Sequence, residues 1–403
     1  MMNRREFLKA ATLASAAPLW VRFSATAAEA ATEVPIPDRL LLVVYLGGGN
    51  DGLNTVVPYQ DSAYTKARPT VGLRAADVNS LGGGLGLHKA LARVYSLWTS
   101  PTHQLAIVQN VGYPNPNYSH FESTYIWETG SATGRYHTGW LGRYLDATDA
   151  TSPGPVRAIA VGMDALPRTL IGQDGNGVAL TSLSDFSFAD RPSNGYTDTA
   201  LRHRAFDALG TGAPDDGSLR SQVLQAEDGT VRAIAAISGA TAKTKTNLTD
   251  AQTVAAMFAA KVGTEIGFIE VGGFDTHTDE KAFQAQGLQA VDKAIGEFFD
   301  AAKTYGIADR VTVMTFTDFG RRVGENANVG TDHGSSGPLL VMGPNVNGGI
   351  YGNRPDLSPS ALQDGNLVPA INMASVYSSI ISQAFHTDPV PILGDYPTIP
   401  LIR

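Results

Sequence analysis

Apolar positions along this chain follow two alternating patterns. Leu40-Leu41-Leu42-Val43-Val44-Tyr45-Leu46 is apolar without a break, as in a strand buried on both faces of a parallel sheet. Comparable runs lie at Gln104–Gln109, Val156–Val161, Ile266–Val271, Val311–Phe316 and Pro338–Met342. The segments between them predict helices at His88–Trp98, Phe121–Glu128, Trp140–Ala147, Leu219–Ile237, Asp250–Val262, Asp279–Tyr305 and Ile371–Phe385. Strands alternating with helices predict an α/β fold, a mostly parallel central sheet with helices on both faces. The stretch 182–217, rich in Ser, Asp, Gly and Pro, reads as an irregular insertion within a single domain spanning 31–403.

Open α/β sheets bind ligands beyond the carboxyl ends of their strands. Four polar clusters fall where such ends are predicted. After the first strand comes Gly48-Gly49-Asn50-Asp51-Gly52-Leu53-Asn54, where glycines permit a sharp turn and Asp51 either faces the cleft to hold a cation or caps the next element. Asn115-Pro116-Asn117-Tyr118-Ser119-His120 leads into a helix, with Ser119 suited to the N-cap and Glu122 to a capping box. The same helix start would present Ser119 or His120 to an anion, and a hydroxyl there, near a metal, is a candidate nucleophile.

The third cluster, Gly272-Gly273-Phe274-Asp275-Thr276-His277, spaces an Asp and a His so that both can aim at one ion. The fourth joins Asp318-Phe319-Gly320-Arg321-Arg322 to Thr331-Asp332-His333-Gly334. It brings a carboxylate and an imidazole together with guanidinium groups fit for an anionic substrate or for pairing with Glu325. His88 and His386 read as helix-end residues, and His103, His137 and His203 as surface positions.

Composition narrows the chemistry. With no cysteine, there is no thiolate ligand or thiol nucleophile, so a metal must be held by imidazole or oxygen. A net charge of -8 excludes a basic nucleic-acid surface, and 43% apolar with 17% charged residues excludes a disordered or coiled-coil chain. No segment approaches the roughly 18 apolar residues of a membrane span. At the N-terminus, Arg4-Arg5-Glu6-Phe7-Leu8-Lys9, a weakly apolar run from Ala10 to Trp20 and small-x-small sites at Ala25-Thr26-Ala27 and Ala28-Glu29-Ala30 read as a twin-arginine export signal over residues 1–30. The expected partner of that segment is the twin-arginine translocation machinery, and the expected location is periplasmic or secreted.

Six motifs in order resemble the DUF1501 family of exported bacterial proteins: Leu46–Pro58, Tyr118-Ser119-His120-Phe121, Gly139-Trp140-Leu141-Gly142-Arg143, Gly273-Phe274-Asp275-Thr276-His277, Phe319-Gly320-Arg321-Arg322 and Gly330-Thr331-Asp332-His333-Gly334. That family is grouped with the alkaline phosphatase and sulfatase superfamily. The resemblance implies a three-layer sandwich and a metal-dependent hydrolase of phosphate or sulfate esters, acting on a small anionic ester or glycan. It implies one or two divalent ions (Zn, Mn, Mg or Ca) on Asp51, Asp275, His277, Asp318 and His333, with Asp332 as a replacement ligand. Ser119 matches the nucleophile, His120 stands beside it, and Arg321 is placed to hold the anion. Phe319 departs from the pattern, since a histidine usually follows that Asp. A non-catalytic exported binder of a glycan, polymer or assembly partner is the alternative on the same fold.

Overall fold

The computed structural model describes residues 34–133, 136–148, 156–173, 177–181 and 248–403. The predicted export signal, the insertion at 182–217 and the helix Leu219–Ile237 lie outside the described residues. In chain order the strands are β1 Leu40–Leu46, β2 Val56–Val57, β3 Val78–Gly82, β4 Leu85–His88, β5 Leu105–Gly112 and β6 Ala158–Val161. They continue as β7 Val178–Leu180, β8 Ile266–Val271, β9 Val311–Thr317, β10 Gly337–Met342, β11 Gly349–Tyr351 and β12 Ile371–Asn372. The helices used below are α1 Ser62–Ala67, α2 Ala92–Trp98, α3 His120–Thr129, α4 Trp140–Thr148, α5 Asp250–Ala259, α6 Glu280–Thr304 and α7 Met373–Ser379.

Nine strands form one sheet in the order β11-β5-β10-β9-β1-β8-β6-β7, with β12 also on β5. Every pairing is parallel except those of β10 with β5 and β9. The carboxyl ends of β1, β5, β8 and β9 therefore share one edge with the amino end of β10. The central strands are buried on both faces because helices cover both. Leu41, Val43, Phe268, Met314 and Phe316 pack with Trp127 of α3, Trp140 and Tyr144 of α4 and Tyr377 of α7. Leu42 is paired with Gly267, whose missing side chain makes room for Val254 and Phe258 of α5 on the opposite face. Phe258 in turn meets Phe298 of α6 edge-on at 6.0 Å. No helix among the described residues is long and apolar enough to cross a membrane.

Two elements differ from the predicted ones. His88 does not open a helix; it is the buried last residue of β4, which forms a hairpin with β3 through Gly82, Gly83 and Gly84, all at positive φ. That three-glycine turn absorbs the segment into a small second sheet, and the helix begins only at Ala92. The predicted helix Ile371–Phe385 starts instead as a two-residue strand beside β5, and Asn372 then caps α7 by accepting from Ala374 N at 2.9 Å.

Candidate active site

Four connections meet at the shared strand edge, and the turn after β1 sets their spacing. Gly48 and Gly49 have φ of 113° and 80°. A Cβ at Gly48 would stand 2.5 Å from the backbone nitrogen of Asp275, and one at Gly49 2.4 Å from the Phe319 ring. Glycine alone lets this loop lie against both neighbours. The two glycine N–H groups then donate to one carboxylate oxygen, Asp318 Oδ1, at 3.1 and 2.9 Å.

The other oxygen of Asp318 lies 2.6 Å from Nδ1 of His120, the first residue of α3. That partner assigns the proton to Nδ1 and leaves a lone pair on Nε2, 3.6 Å from Asp275 Oδ1. His333, in the loop before β10, is oriented in the same way. Its Nδ1 donates to the Tyr118 carbonyl at 2.7 Å and its Nε2 lies 3.2 Å from Asp275 Oδ1. His277 has Nδ1 3.4 Å from Asp332 Oδ1, while its Nε2 is 3.0 Å from Asp275 Oδ1 and 2.9 Å from His333 Nε2. Three imidazoles, each with an acceptor at Nδ1, thus turn Nε2 toward one carboxylate.

Ionisation supports the same geometry. Partial burial works against the charge on Asp275, but the Arg321 hydrogen bond, first among several stabilising contacts, outweighs it, and the pKa is pulled down to about 2. Partial burial lowers the pKa of His333, which favours the neutral ring and its lone pair. The Asn326 amide, ahead of His277, holds the Asp332 pKa down against its slight burial. Imidazole nitrogens with a carboxylate suit zinc or a similar borderline ion better than calcium or magnesium. Ligands around four-coordinate zinc stand about 3.3 Å apart for bonds near 2.0–2.1 Å. Four of the six separations among these side chains, 2.9, 3.0, 3.2 and 3.6 Å, bracket that spacing.

The remaining expected site residues lie elsewhere or do other work. Asp51 is fully buried and does not face the cleft: Arg68, just after α1, grips both of its oxygens, and Asp51 Oδ1 caps Leu53 N at 3.2 Å. The turn-capping alternative is the one realised. Asp318 accepts from two backbone N–H groups on one oxygen and faces His120 Nδ1 with the other, so it orients a histidine. Asp332 likewise accepts from Asn326 and His277.

Arg321 is buried with its donors already used. Nε meets the Gly49 carbonyl at 2.7 Å, Nη1 that of Thr331 at 2.9 Å, and Nη2 the Phe274 carbonyl and Asp275 Oδ1, both at 2.8 Å. It ties three loops together and is not presented to an anion. Glu325 pairs with neither arginine; it accepts from the backbone of Thr70 and Val71. Ser119 is the N-cap residue of α3 and is exposed, yet its side chain makes no capping hydrogen bond, so the expected capping box is not formed.

Two residues carried no signal in the sequence reading. Arg68 belongs to no motif. Glu280, at the start of α6, takes a hydrogen bond from Asn54 at 2.9 Å on Oε1, and its Oε2 is buried without a partner. A four-residue spacing puts it on one face with Gln284, but nothing local points to Asp51 as a neighbour.

The family described as "Protein of unknown function (DUF1501)" matches residues 98–381. The chain belongs to the DUF1501 family. No curated protein matches this DUF1501 chain in sequence. Among solved structures it is similar to a protein in the alkaline phosphatase superfamily from Vibrio parahaemolyticus, with 12% identity over 97% of this chain and 79% of that one and a TM-score of 0.36. It is also similar to the lipoteichoic acid synthase LtaP from Listeria monocytogenes, with 10% identity, 94% and 80% coverage and a TM-score of 0.35. The C-terminal periplasmic domain of EcEptC from Escherichia coli gives 10% identity, 89% and 87% coverage and a TM-score of 0.36.

Proposed function

We propose that this protein is an exported hydrolase of phosphate or sulfate esters that uses a divalent ion, with Ser119 as the nucleophile. The observation that carries the reading is the convergence of histidine nitrogens on Asp275 at the strand edge, where Ser119 begins a helix directly before one of those histidines. Asp275, His277 and His333 are the residues that would hold the ion. A bound ion of this kind withdraws charge from an ester oxygen and lowers the pKa of a nearby hydroxyl. Ser119 Oγ would attack phosphorus or sulfur, the bond to the leaving alcohol would break, and the alcohol would depart with the proton given up by serine. Water would then release inorganic phosphate or sulfate from the serine. The free N–H groups at the start of α3 favour an anion beside Ser119.

A second reading, a non-catalytic binder of a glycan, polymer or assembly partner, is favoured by one feature. Among the described residues no side-chain base is hydrogen-bonded to the Ser119 hydroxyl. Turnover of aryl phosphates and aryl sulfates by the zinc- or manganese-loaded protein decides between them. Ser119→Ala is expected to lower kcat/KM more than about 100-fold while retaining the metal. A metal-loaded protein that turns over neither ester class removes the hydrolase reading, and a Ser119→Ala variant that turns over as before removes Ser119 as the nucleophile.

A further inference from the structure

We propose that His120 is a ligand of the same single ion as Asp275, His277 and His333, and that Asp318 is the positioning residue for His120 and not itself a ligand. This rests on the cation part of the reading above and leaves the identity of the nucleophile aside.

The first argument is the crowding of lone pairs. Both His120 and His333 donate from Nδ1, to Asp318 at 2.6 Å and to the Tyr118 carbonyl at 2.7 Å, so in the neutral rings both Nε2 atoms are acceptors. They face Asp275 Oδ1, another acceptor, at 3.6 and 3.2 Å. Acceptors at such range repel unless positive charge lies among them. One proton shared across the 2.9 Å between His277 and His333 relieves that pair only. Arg321 Nη2, 2.8 Å from Asp275 Oδ1, serves that oxygen, and its other bonds go to backbone carbonyls. Among the described residues no protein donor serves the Nε2 lone pair of the neutral His120 ring, and a cation shared with Asp275 and His333 would complete it. His120, Asp275 and His333 bring a ligand atom each to within 4.8 Å of one another.

The second argument concerns number. Asp51 is committed to Arg68, and Asp318 to Gly48, Gly49 and His120. Against the cluster stands the Phe319 ring, 4.8 Å from the His120 ring and 4.4 Å from that of His333, centre to centre, and it offers no ligand atom. The described residues thus offer one group of ligand atoms, which fits one ion. A carboxylate that fixes Nδ1 of a ligating histidine sets the ring's orientation and raises its basicity, which is the place Asp318 occupies.

X-ray absorption fine structure of the zinc-loaded full chain, with metal analysis, gives the direct test. Three imidazoles and one ion per chain are expected; two or fewer imidazoles, or two ions, overturn the proposal. Cobalt affinity, read by the visible d–d bands in competition with a chelator, tests the individual residues. His120→Gln should weaken binding at least about 10-fold and alter the bands, and Asp318→Asn should weaken it about 10- to 100-fold. Lys293→Ala, on the exposed face of α6, should leave affinity unchanged. The melting temperature of metal-free Asp318→Asn should stay near that of the parent, separating positioning from loss of fold. Unchanged cobalt affinity in either variant overturns the corresponding assignment. If His120→Gln does not fold, the absorption measurement on the unaltered protein decides. Failure of Ser119 as nucleophile would show in turnover alone and would leave these metal readings as they are.

Discussion

Glu280 shows how one buried side chain links the loop after β1 to the proton balance of the molecule. It shares an interior pocket with Asp51 and Arg68, two carboxyl groups against one guanidinium. Asp51 ends below its usual range despite complete burial, because Arg68 stabilises its charge. Glu280 goes the other way: burial first, and then the charge of Asp51, push it up to about 9 from 4.5. The folded protein therefore keeps a proton on Glu280 that the unfolded chain releases above pH 4.5. Stability should be at its fullest below that pH as far as this group is concerned, and should fall as pH rises through about 9, by at most about 1.4 kcal/mol per pH unit. Glu280→Gln, which mimics the neutral form, should flatten this decline. Urea melts at a series of pH values measure it, and an equally steep decline in the variant would show that another group is responsible.

At the scale of elements, the turn after β1 does two jobs with one backbone path. Its glycines let the loop approach Phe319 and Asp275, and their N–H groups hold the carboxylate that orients His120. Gly49→Ala is expected to destabilise the fold by more than about 1 kcal/mol, since φ is unfavourable and the methyl meets a ring. It should also weaken metal binding through Asp318. Gly82→Ala, at φ 89° with nothing within 4 Å of the new methyl, bears the conformational cost alone and should leave metal affinity unchanged. Paired denaturation and metal titrations of the two variants test this; equal metal affinity in both would detach the turn from the site. Much at this scale was legible beforehand. Leu40–Leu46 and Ile266–Val271 are strands over the residues predicted, because an unbroken apolar run can be satisfied only between two covering layers. The β3–β4 hairpin was not legible, because its short apolar positions are divided by glycines and read equally as the approach to a helix.

At the scale of the whole molecule, topology makes the site. Parallel strands bring the ends of β1, β5, β8 and β9 to one edge, and β10, antiparallel to both β5 and β9, delivers His333 there from the other direction. Residues 120, 275, 277, 318 and 333, far apart in the chain, meet for that reason alone. The proposed ion site also bears on the export expected from residues 1–30, since the twin-arginine route moves folded cargo. Replacing Arg4 and Arg5 with lysine should keep the protein in the cytoplasm as an uncleaved chain. Fractionation with immunoblotting reads the result, and normal periplasmic appearance of that variant would assign residues 1–30 another role.

By itself, the sequence determined the alternation of strands and helices, the glycine turns at strand ends and the family, because each depends on neighbours a few residues apart. Only the tertiary structure decided what each acidic residue does. Asp51, Asp275 and Asp318 all follow apolar strands in similar loops, yet one is neutralised by Arg68, one faces three imidazoles and one holds His120 in place. The partner that fixes a charge comes from a distant part of the chain, and no local pattern specifies which it will be.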